Sequence, residues 1–384
     1  MTYHKNMPQI PQLKPKKDAV RVMPMGGIGE IGMNCMLIEH DGEFMMLDCG
    51  QMMPDEDMLG VDYVIPDISI LKGRGDALKG IVLTHAHEDH VGALPYILPQ
   101  LPKNTPIYGS EFTIALLREK MREHKLNPNF KVYTARQKIA LGKSFIVEPI
   151  PVTHSIIDAF GLAITTPIGT IIHSGDFKID PAPTDGVTFD YHAFSRYAEG
   201  DDDGVLLLMS DSTNADREGT CPSEAGVIPA LDRLIREAKG QIIFSCFSSS
   251  LHRVQTVLNL AARYGRTVFP AGLNMERNIR VAESIQAIEI PCEFITNLDR
   301  LKTVPPERRL ILTTGSQGEP LAGLTRMALD SHRAVKIEAG DSVILSARLI
   351  PGNEKLIYRL INHLVRRGAK VYYPGNTPDR KSVV

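Results

Sequence analysis

Residues Thr84 to His90 read Thr-His-Ala-His-Glu-Asp-His, and His85, His87, Asp89 and His90 among them carry donor atoms for a metal ion. Imidazole and carboxylate together suit Zn²⁺ or Mn²⁺, whereas Ca²⁺ and Mg²⁺ prefer oxygen alone. Side chains alternate along an extended chain, so His85, His87 and Asp89 are expected on one side and His90 on another. One loop of this kind can seed two adjacent metal positions. The bland alternative is a polar surface loop that happens to be rich in histidine. Four donors at usable spacing weigh against it.

The flanking sequence says what must hold this loop. Gly80-Ile81-Val82-Leu83 is apolar and β-branched and reads as a buried strand. Val91, Leu94, Ile97 and Leu98 mark a helix, bent or shortened by Pro95 and Pro99. The donors therefore sit at a strand's carboxyl end, where α/β folds build sites. Similar places recur along the chain. Asp48 follows Phe44 to Leu47, His154 follows the apolar Phe145-Ile146-Val147, and Asp176 closes the run that starts at Ile171-Ile172. A single His or Asp at a strand end is more often a satisfied structural group than a ligand, so each match alone is weak.

Gly27-Ile28-Gly29-Glu30-Ile31-Gly32 fits the G-x-G-x-x-G dinucleotide fingerprint, which requires a helix immediately after the glycines. Here Asn34 to Ile38 follows, then Asp41-Gly42, then Phe44 to Leu47, which is the pattern of a β-hairpin. Nucleotide binding is rejected, and the glycines are expected to shape a tight turn beside the metal site.

The 384 residues are enough for two or more domains, and 43% hydrophobic with 23% charged residues is ordinary for a globular chain. Cys35, Cys49, Cys221, Cys246 and Cys292 include no C-x-x-C pair and sit mostly in apolar runs, which reads as reduced thiols in a cytosolic setting. Met1 to Lys17 is polar and rich in Pro and Lys. The sequence shows no apolar signal core and no membrane-length run. A net charge of −2 gives no global argument for nucleic acid, so such contacts must come from local basic patches.

From about Val20 to Leu208 short strands, turns and helices alternate. Among them are a strand at Pro106 to Gly109 and a helix from Phe112 to His124. Asp180 to Asp203 reads as a polar connection that ends in Glu199, Asp201, Asp202 and Asp203. A second α/β unit is then expected. Its strands fall at Val205 to Met209 (buried), Gln241 to Ser245, Thr267 to Phe269, Arg309 to Thr313, Ser342 to Ser346 and Lys370 to Tyr373. Its helices fall at Gly226 to Ala238, Leu251 to Tyr264 and Glu354 to Arg367. This alternation implies a mainly parallel sheet. Polar clusters stand at its strand ends, at Ser210 to Asn214, Phe247 to Arg253, Thr314 to Pro320 and Pro351 to Glu354. Hydroxyls, glycine amides and an Arg there can cradle phosphate, although helix capping explains part of the pattern.

Taken in order, the H-x-H-x-D-H run at His85 to His90, Val152-Thr153-His154-Ser155, Ser174 to Asp180 and Asp211-Ser212-Thr213-Asn214 carry a family resemblance. The sequence resembles the metallo-β-lactamase superfamily and, within it, the β-CASP group of RNA nucleases with the bacterial ribonuclease J family. The likeness runs from Gly26 to Glu354. It implies an α/β fold, a metallo-β-lactamase αββα sandwich with an inserted β-CASP α/β domain. The implied division is a flexible arm at 1–19, the first part of the metallo-β-lactamase domain at 20–207, the β-CASP domain at 208–374, and the start of a return at 375–384.

The resemblance also implies a cytoplasmic, metal-dependent ribonuclease, acting as a 5′→3′ exonuclease and endonuclease that prefers 5′-monophosphate ends. Its roles would be mRNA decay and rRNA maturation, as a homodimer or homotetramer with partners in an RNA-decay complex and no membrane. Two divalent ions, Zn²⁺ with Mn²⁺ also suited, are implied as cofactors. By resemblance His85, His87 and His154 hold one ion, Asp89 and His90 hold the second, and Asp176 bridges both. Asp89, His90 and Asp176 are thereby the expected catalytic group. Asp48 and Asp211 are expected to orient ligand imidazoles. Ser248, Ser249, His252, Arg253, Ser316 and Gln317 are expected to bind RNA phosphates.

Two departures stand out. Ser250 occupies the place of an Asn in the family pattern. The family continues with a Ser-Gly-His motif that supplies one more metal-ligating histidine, and this sequence contains none; the expectation is a chain truncated before it. Two other readings compete with the nuclease: an RNA-binding fragment with impaired catalysis, and a small-molecule metallo-hydrolase such as a thioester hydrolase. The second α/β unit argues against the latter, and metal stoichiometry discriminates the former.

Overall fold

The structure, a computed structural model, describes residues 14–54, 58–199, 204–216, 218–348, 350 and 352–374. Most of the expected N-terminal arm, the acidic residues Asp201 to Asp203, Pro351 and the expected return at 375–384 lie outside the described residues. The chain forms two compact units. One takes residues up to 154 with 158–178 and 189–218; the other takes 155–157, 179–188 and 219 onward.

The first unit holds two sheets. The first sheet runs β1 (Arg21–Gly26), β2 (Cys35–His40), β3 (Glu43–Leu47), β4 (Leu78–Val82), β5 (Pro106–Gly109) and β6 (Asn129–Val132), in that spatial order. β1, β2 and β3 are antiparallel, and β3 to β6 are parallel. Helices α1 (Glu88–Val91), α2 (Leu94–Ile97) and α3 (Glu111–Glu123) belong with this sheet. The second sheet is built from β7 (Ile139–Leu141), β8 (Phe145–Pro151), β9 (Phe160–Thr166), β10 (Gly169–His173) and β11 (Val205–Met209), with α4 (Tyr191–Ala198) preceding β11.

The period of two explains the layering. Leu37, Met46, Ile81 and Leu83 point one way, into a core shared with Leu94, Ile97, Leu117 and Met121 of the helices. Their neighbours Ile38, Met45, Leu47 and Val82 point the other way and meet Phe145, Val147, Leu162, Ile164 and Ile171 of the second sheet. Ile150, Ala163 and Ile172 on the far face of that sheet pack against Ala193 and Phe194 of α4. The order is helix, sheet, sheet, helix, the expected αββα sandwich. Both faces of the inner strands are buried, so their sequences read as continuous apolar runs rather than as alternation.

The hairpin expected around Asp41-Gly42 is present, with Ile38 opposite Met45 and His40 opposite Glu43. The helix expected after the ligand loop is broken into α1, α2 and one further 3-10 turn at Leu98–Gln100, with Pro95 and Pro99 at the starts of the later pieces. Two sequence expectations are corrected. The polar connection at 180–203 contains α4. Asp190 caps it by accepting from the Ala193 amide, and Glu148, buried at 2% exposure, binds the Arg196 guanidinium and the Tyr197 hydroxyl. Eight residues in a polar stretch carry too little apolar periodicity to announce a helix. Val205–Met209 is a strand, but it is not buried. It pairs parallel to β10 at the end of the first unit's second sheet, and Leu206, Leu207 and Leu208 are exposed. An apolar run reports strand propensity and leaves unstated whether both faces are covered.

The second unit holds α5 (Ile228–Glu237), β12 (Ile242–Ser245), α6 (Leu251–Arg263), β13 (Thr267–Ala271), α7 (Leu273–Ser284), β14 (Arg309–Thr313), α8 (Gly323–Ala328), β15 (Ser342–Leu345), α9 (Glu354–Arg366) and β16 (Lys370–Tyr372). The sheet order is β13-β14-β12-β15-β16 and every pairing is parallel, as the alternation implies. From β12 the chain builds β13 and β14 on one side, then crosses to place β15 on the other. The carboxyl ends of β12, β14 and β15 thus frame a topological switch point, where open α/β sheets place ligands. All five cysteines are free, with Cys35, Cys49 and Cys246 buried. Among the described residues no helix is long and apolar enough to cross a membrane.

Candidate metal centre

The centre lies wholly within the first unit, at the carboxyl ends of β3, β4 and β10 and after β8. His85 and His87 are in extended chain beyond β4, but the backbone turns helical at Glu88, so Asp89 leaves their side and joins His90. The expectation of Asp89 alternating with the two histidines is corrected on this point. Gly50 makes room for the turn, because a Cβ there would lie 1.6 Å from the Asp89 carbonyl oxygen. The His154 and Asp176 loops are tied together as well. The Lys178 amide donates to the Thr153 carbonyl at 2.7 Å, and the Thr153 hydroxyl donates back to the Lys178 carbonyl.

Three imidazole nitrogens converge. His87 Nδ1 lies 2.9 Å from His85 Nε2 and 3.2 Å from His154 Nε2. His85, His87 and His154 form one group of donors close enough to share an ion, and His85, His90 and Asp176 form another. His90 Nε2 is 3.3 Å from Asp176 Oδ1 and 3.7 Å from Asp89 Oδ2, and His154 Nε2 is 3.9 Å from Asp176 Oδ2. His85 and His90 are rooted in the core, whereas Asp89 and Asp176 are 37% and 32% exposed, so the centre opens toward solvent on its carboxylate side.

The neighbours select the ring tautomers. Asp48, buried at 2% exposure, accepts from the Thr84 amide at 2.7 Å and from the Thr84 hydroxyl at 2.9 Å. With its proton committed to Asp48, the Thr84 hydroxyl accepts from His85 Nδ1 at 3.0 Å. His85 Nε2 then carries the lone pair that faces His87. Asp48 Oδ2 also takes His90 Nδ1 at 2.8 Å, which turns His90 Nε2 toward Asp89 and Asp176. Burial pushes His85 well below its ordinary pKa, reinforced by the surrounding imidazoles. Burial likewise lowers His87, and takes His154 down to about 3. Those rings are neutral at pH 7 and have lone pairs to offer. Burial opposes charge on His90, but Asp48 and Asp176 outweigh it and hold the ring's pKa well above its ordinary value. For Asp176 burial works upward, and His90, His154 and His87 together draw the carboxyl below the usual range. Three neutral imidazoles whose nitrogens converge beside an ionised Asp176 are a donor set that fits a divalent cation.

The remaining sequence candidates are placed as follows. Asp211 does not touch a ligand ring. Its carboxylate accepts from the Phe177 amide at 3.4 Å and the Thr213 amide at 2.8 Å, so it acts on the backbone next to Asp176. In the second unit Ser248, Ser249, His252 and Arg253 stand between β12 and the first turn of α6, and Ser316 and Gln317 follow β14. Arg253 is engaged by Glu224 at 2.6 Å and by the Ser346 hydroxyl. Gln317 is buried, donating to the Arg348 carbonyl at 2.9 Å and accepting from the Ile350 amide at 3.0 Å. The His252 ring lies 3.3 Å from the Thr184 hydroxyl and 3.9 Å from Asp185. The Ser248 carbonyl accepts from Asn278. Sequence reasoning missed Asn34, Thr84 and His173. Asn34 Nδ2 lies 3.2 Å from Asp89 Oδ2 and 3.0 Å from His90 Nε2, and His173 Nδ1 accepts from the Gly175 amide at 3.0 Å, shaping the turn into Asp176. Thr84 stood inside the quoted run, but only its tertiary contact with Asp48 gives it a role.

Comparison with known proteins gives the family. Residues 28–206 match the family model of the metallo-beta-lactamase superfamily, and residues 239–364 match that of the ribonuclease J beta-CASP domain. A ribonuclease J of Helicobacter pylori is 43% identical over 93% of this chain and 51% of its own length. Those of Synechocystis and Thermus thermophilus are 44% and 42% identical, over 92% and 93% of this chain and 55% and 63% of theirs. The chain thus spans about half to three fifths of the relatives it matches. A solved Enterococcus faecalis protein of unknown function shares the fold, with a TM-score of 0.62 at 17% identity over 91% of this chain and 86% of that one.

Proposed function

Because the chain belongs to the ribonuclease J family of the metallo-β-lactamase superfamily, we propose that it is a metal-dependent ribonuclease that hydrolyses RNA phosphodiester bonds. Its action is 5′→3′ exonucleolytic and endonucleolytic, in mRNA decay and rRNA maturation, in the cytoplasm and as a homodimer or homotetramer. The observation that carries the reading is the convergence of His85, His87 and His154 beside His90 and Asp176 in one donor set. Two divalent ions, Zn²⁺ by donor type, are the proposed cofactors. His85, His87 and His154 would hold one; Asp89 and His90 would hold the other, and Asp176 both. Such a pair supplies a water of lowered pKa and neutralises charge on the phosphoryl oxygens.

The chain's own residues do the rest. Asp48 and Thr84 fix which ring nitrogens face the substrate side. The exposed Asp176 and Asp89 stand where a phosphodiester can reach. Ser248, Ser249, His252, Arg253, Ser316 and Gln317, around the switch point of the second unit, are the proposed phosphate-binding group. In support, they lie where parallel sheets present ligand sites. The test is cleavage of a 5′-monophosphorylated, 3′-labelled RNA, with Asp176→Ala as control. Metal-dependent release of 5′-mononucleotides, abolished in the control, is expected. RNA binding with no cleavage would replace the nuclease by an RNA-binding role for this chain. Cleavage that survives Asp176→Ala would remove the metal centre from the reaction.

A further inference from the structure

The glycine-rich segment from Gly26 to Gly32 binds no dinucleotide in the reading above, so its purpose is open. It leads directly to Asn34, which is fastened to the metal centre on every side. The Asn34 amide donates to the Asp89 carbonyl at 2.8 Å, and the Asn34 carbonyl accepts from Gly50 at 2.8 Å. The preceding Met33 amide donates to the Gln51 carbonyl at 3.1 Å. The side chain then reaches between two ligands, with Nδ2 at 3.2 Å from Asp89 Oδ2 and 3.0 Å from His90 Nε2. The Asp89 carboxylate keeps lone pairs for a donor even with a cation bound, so the amide nitrogen rather than its oxygen belongs on that side, and the single lone pair of His90 Nε2 is left to the cation.

The other end of the amide is packed against Gly27. That residue has φ +81, and a Cβ there would fall 2.5 Å from Asn34 Oδ1. Any side chain at 27 would therefore be strained and would push the amide off the ligands. Glu30 steadies the same loop by accepting from the Gly27 amide at 3.2 Å. Asp89 needs such a fixture. It is 37% exposed, and Asn34 is its neutral partner, whereas His90 is already held from behind by Asp48.

We propose that Asn34 is a positioning residue that sets the spacing of Asp89 and His90 and so tunes the cation position they share, leaving the His85, His87 and His154 position alone. The glycine-rich turn is the seat that puts the amide there. The inference rests on the two-ion reading of the centre. Partners of metal ligands are typically worth about 10- to 100-fold in metal affinity. One amide that bonds a single exposed carboxylate belongs near the lower figure.

The experiment is a Zn²⁺ titration of the metal-free protein against a competing chromophoric chelator, for wild type, Asn34→Ala and Asn34→Ser. Two steps are expected in wild type. Asn34→Ala should loosen one step about tenfold and leave the other unchanged. Asn34→Ser, which keeps one donor, should fall between. Equal loosening of both steps, or of neither, overturns the assignment. A single step in wild type overturns the two-ion reading instead, and the placement of Asn34 is then decided by ¹⁵N imidazole NMR of the metal-free protein. Asn34→Ala must shift the His90 ring nitrogens and leave those of His85 and His154 in place; an unmoved His90 overturns it.

Discussion

Asp48→Asn is the sharpest test of how the centre is built. The substitution keeps the side chain's shape, and Asn tolerates the left-handed backbone at this position, where φ is 56. Its oxygen can still accept from the Thr84 amide, as Asp48 Oδ1 does at 2.7 Å. The new amide group then faces the Thr84 hydroxyl and His90 Nδ1, which now lie 2.9 and 2.8 Å from Asp48 Oδ2. An NH₂ there is a donor where the carboxylate was an acceptor, so a neutral His90 is driven to the tautomer with its proton on Nε2. That nitrogen is the one turned toward Asp89 and Asp176. A cation must then either displace the proton or break the new bond. The expected result is a loss of about 10- to 100-fold in Zn²⁺ affinity, or about 1.4–2.8 kcal/mol, at the position that uses His90. Calorimetric or chelator-competition titration reads it directly. Asp211→Asn is the control: among the described residues the Asp211 carboxylate accepts from the Phe177 amide through Oδ2 and from the Thr213 amide through Oδ1, so Asn gives up one backbone bond without changing the partner of any imidazole nitrogen. Wild-type affinity in Asp48→Asn, or an equal loss in Asp211→Asn, would refute the tautomer argument.

The other predictions concern structures around the centre. Asp190 accepts from Arg136 Nε and Nη2, each at 2.7 Å, and caps α4; burial pushes its carboxyl up, but the Arg136 bonds and charge and the Ala193 amide together outweigh it and lower the pKa. A depressed carboxyl stabilises the fold above its unfolded pKa, near 3.9, and loses that contribution as pH falls through the folded value. Asp190→Asn keeps the cap and removes the ion pair, whose Arg is 48% exposed, so it should cost about 0.5–1 kcal/mol at pH 7. Urea denaturation should show the gap closing as pH falls through and below the ordinary carboxylate range; a gap unchanged by acid would rule out the charge as its source. In the second unit, Arg253→Ala should weaken binding to a 5′-monophosphate end more than to internal RNA. Glu224→Gln, which removes the carboxylate now engaging Arg253 at 2.6 Å, should strengthen the same preference. Filter binding of matched 5′-hydroxyl and 5′-phosphate RNAs decides it, and an unchanged preference in both variants would sink the assignment.

What the sequence made legible follows from how far apart the interacting residues are. His85, His87, Asp89 and His90 lie within six residues, so spacing alone exposes them, and the strand beneath them follows from Ile81-Val82-Leu83. The hairpin and the parallel second sheet are equally local, resting on a two-residue turn and on alternation of element types. Asn34 and Thr84 were illegible for the opposite reason. Asn34 meets Asp89 across 55 positions and Asp48 meets Thr84 across 36, and no local pattern marks such approaches. α4 and β11 show a second limit. A short helix is held as much by the buried Glu148 of β8 as by its own Ala193 and Phe194, and an apolar strand reads alike at a sheet's edge and at its middle. The glycine-rich run joins both cases. Its composition suggested a phosphate loop, the following hairpin excluded one, and only the approach of Gly27 to the Asn34 amide gives those glycines a physical reason. Candidate ligands close in sequence name the chemistry proposed for this centre, while the residues that orient them come from strands and turns that the fold alone brings together.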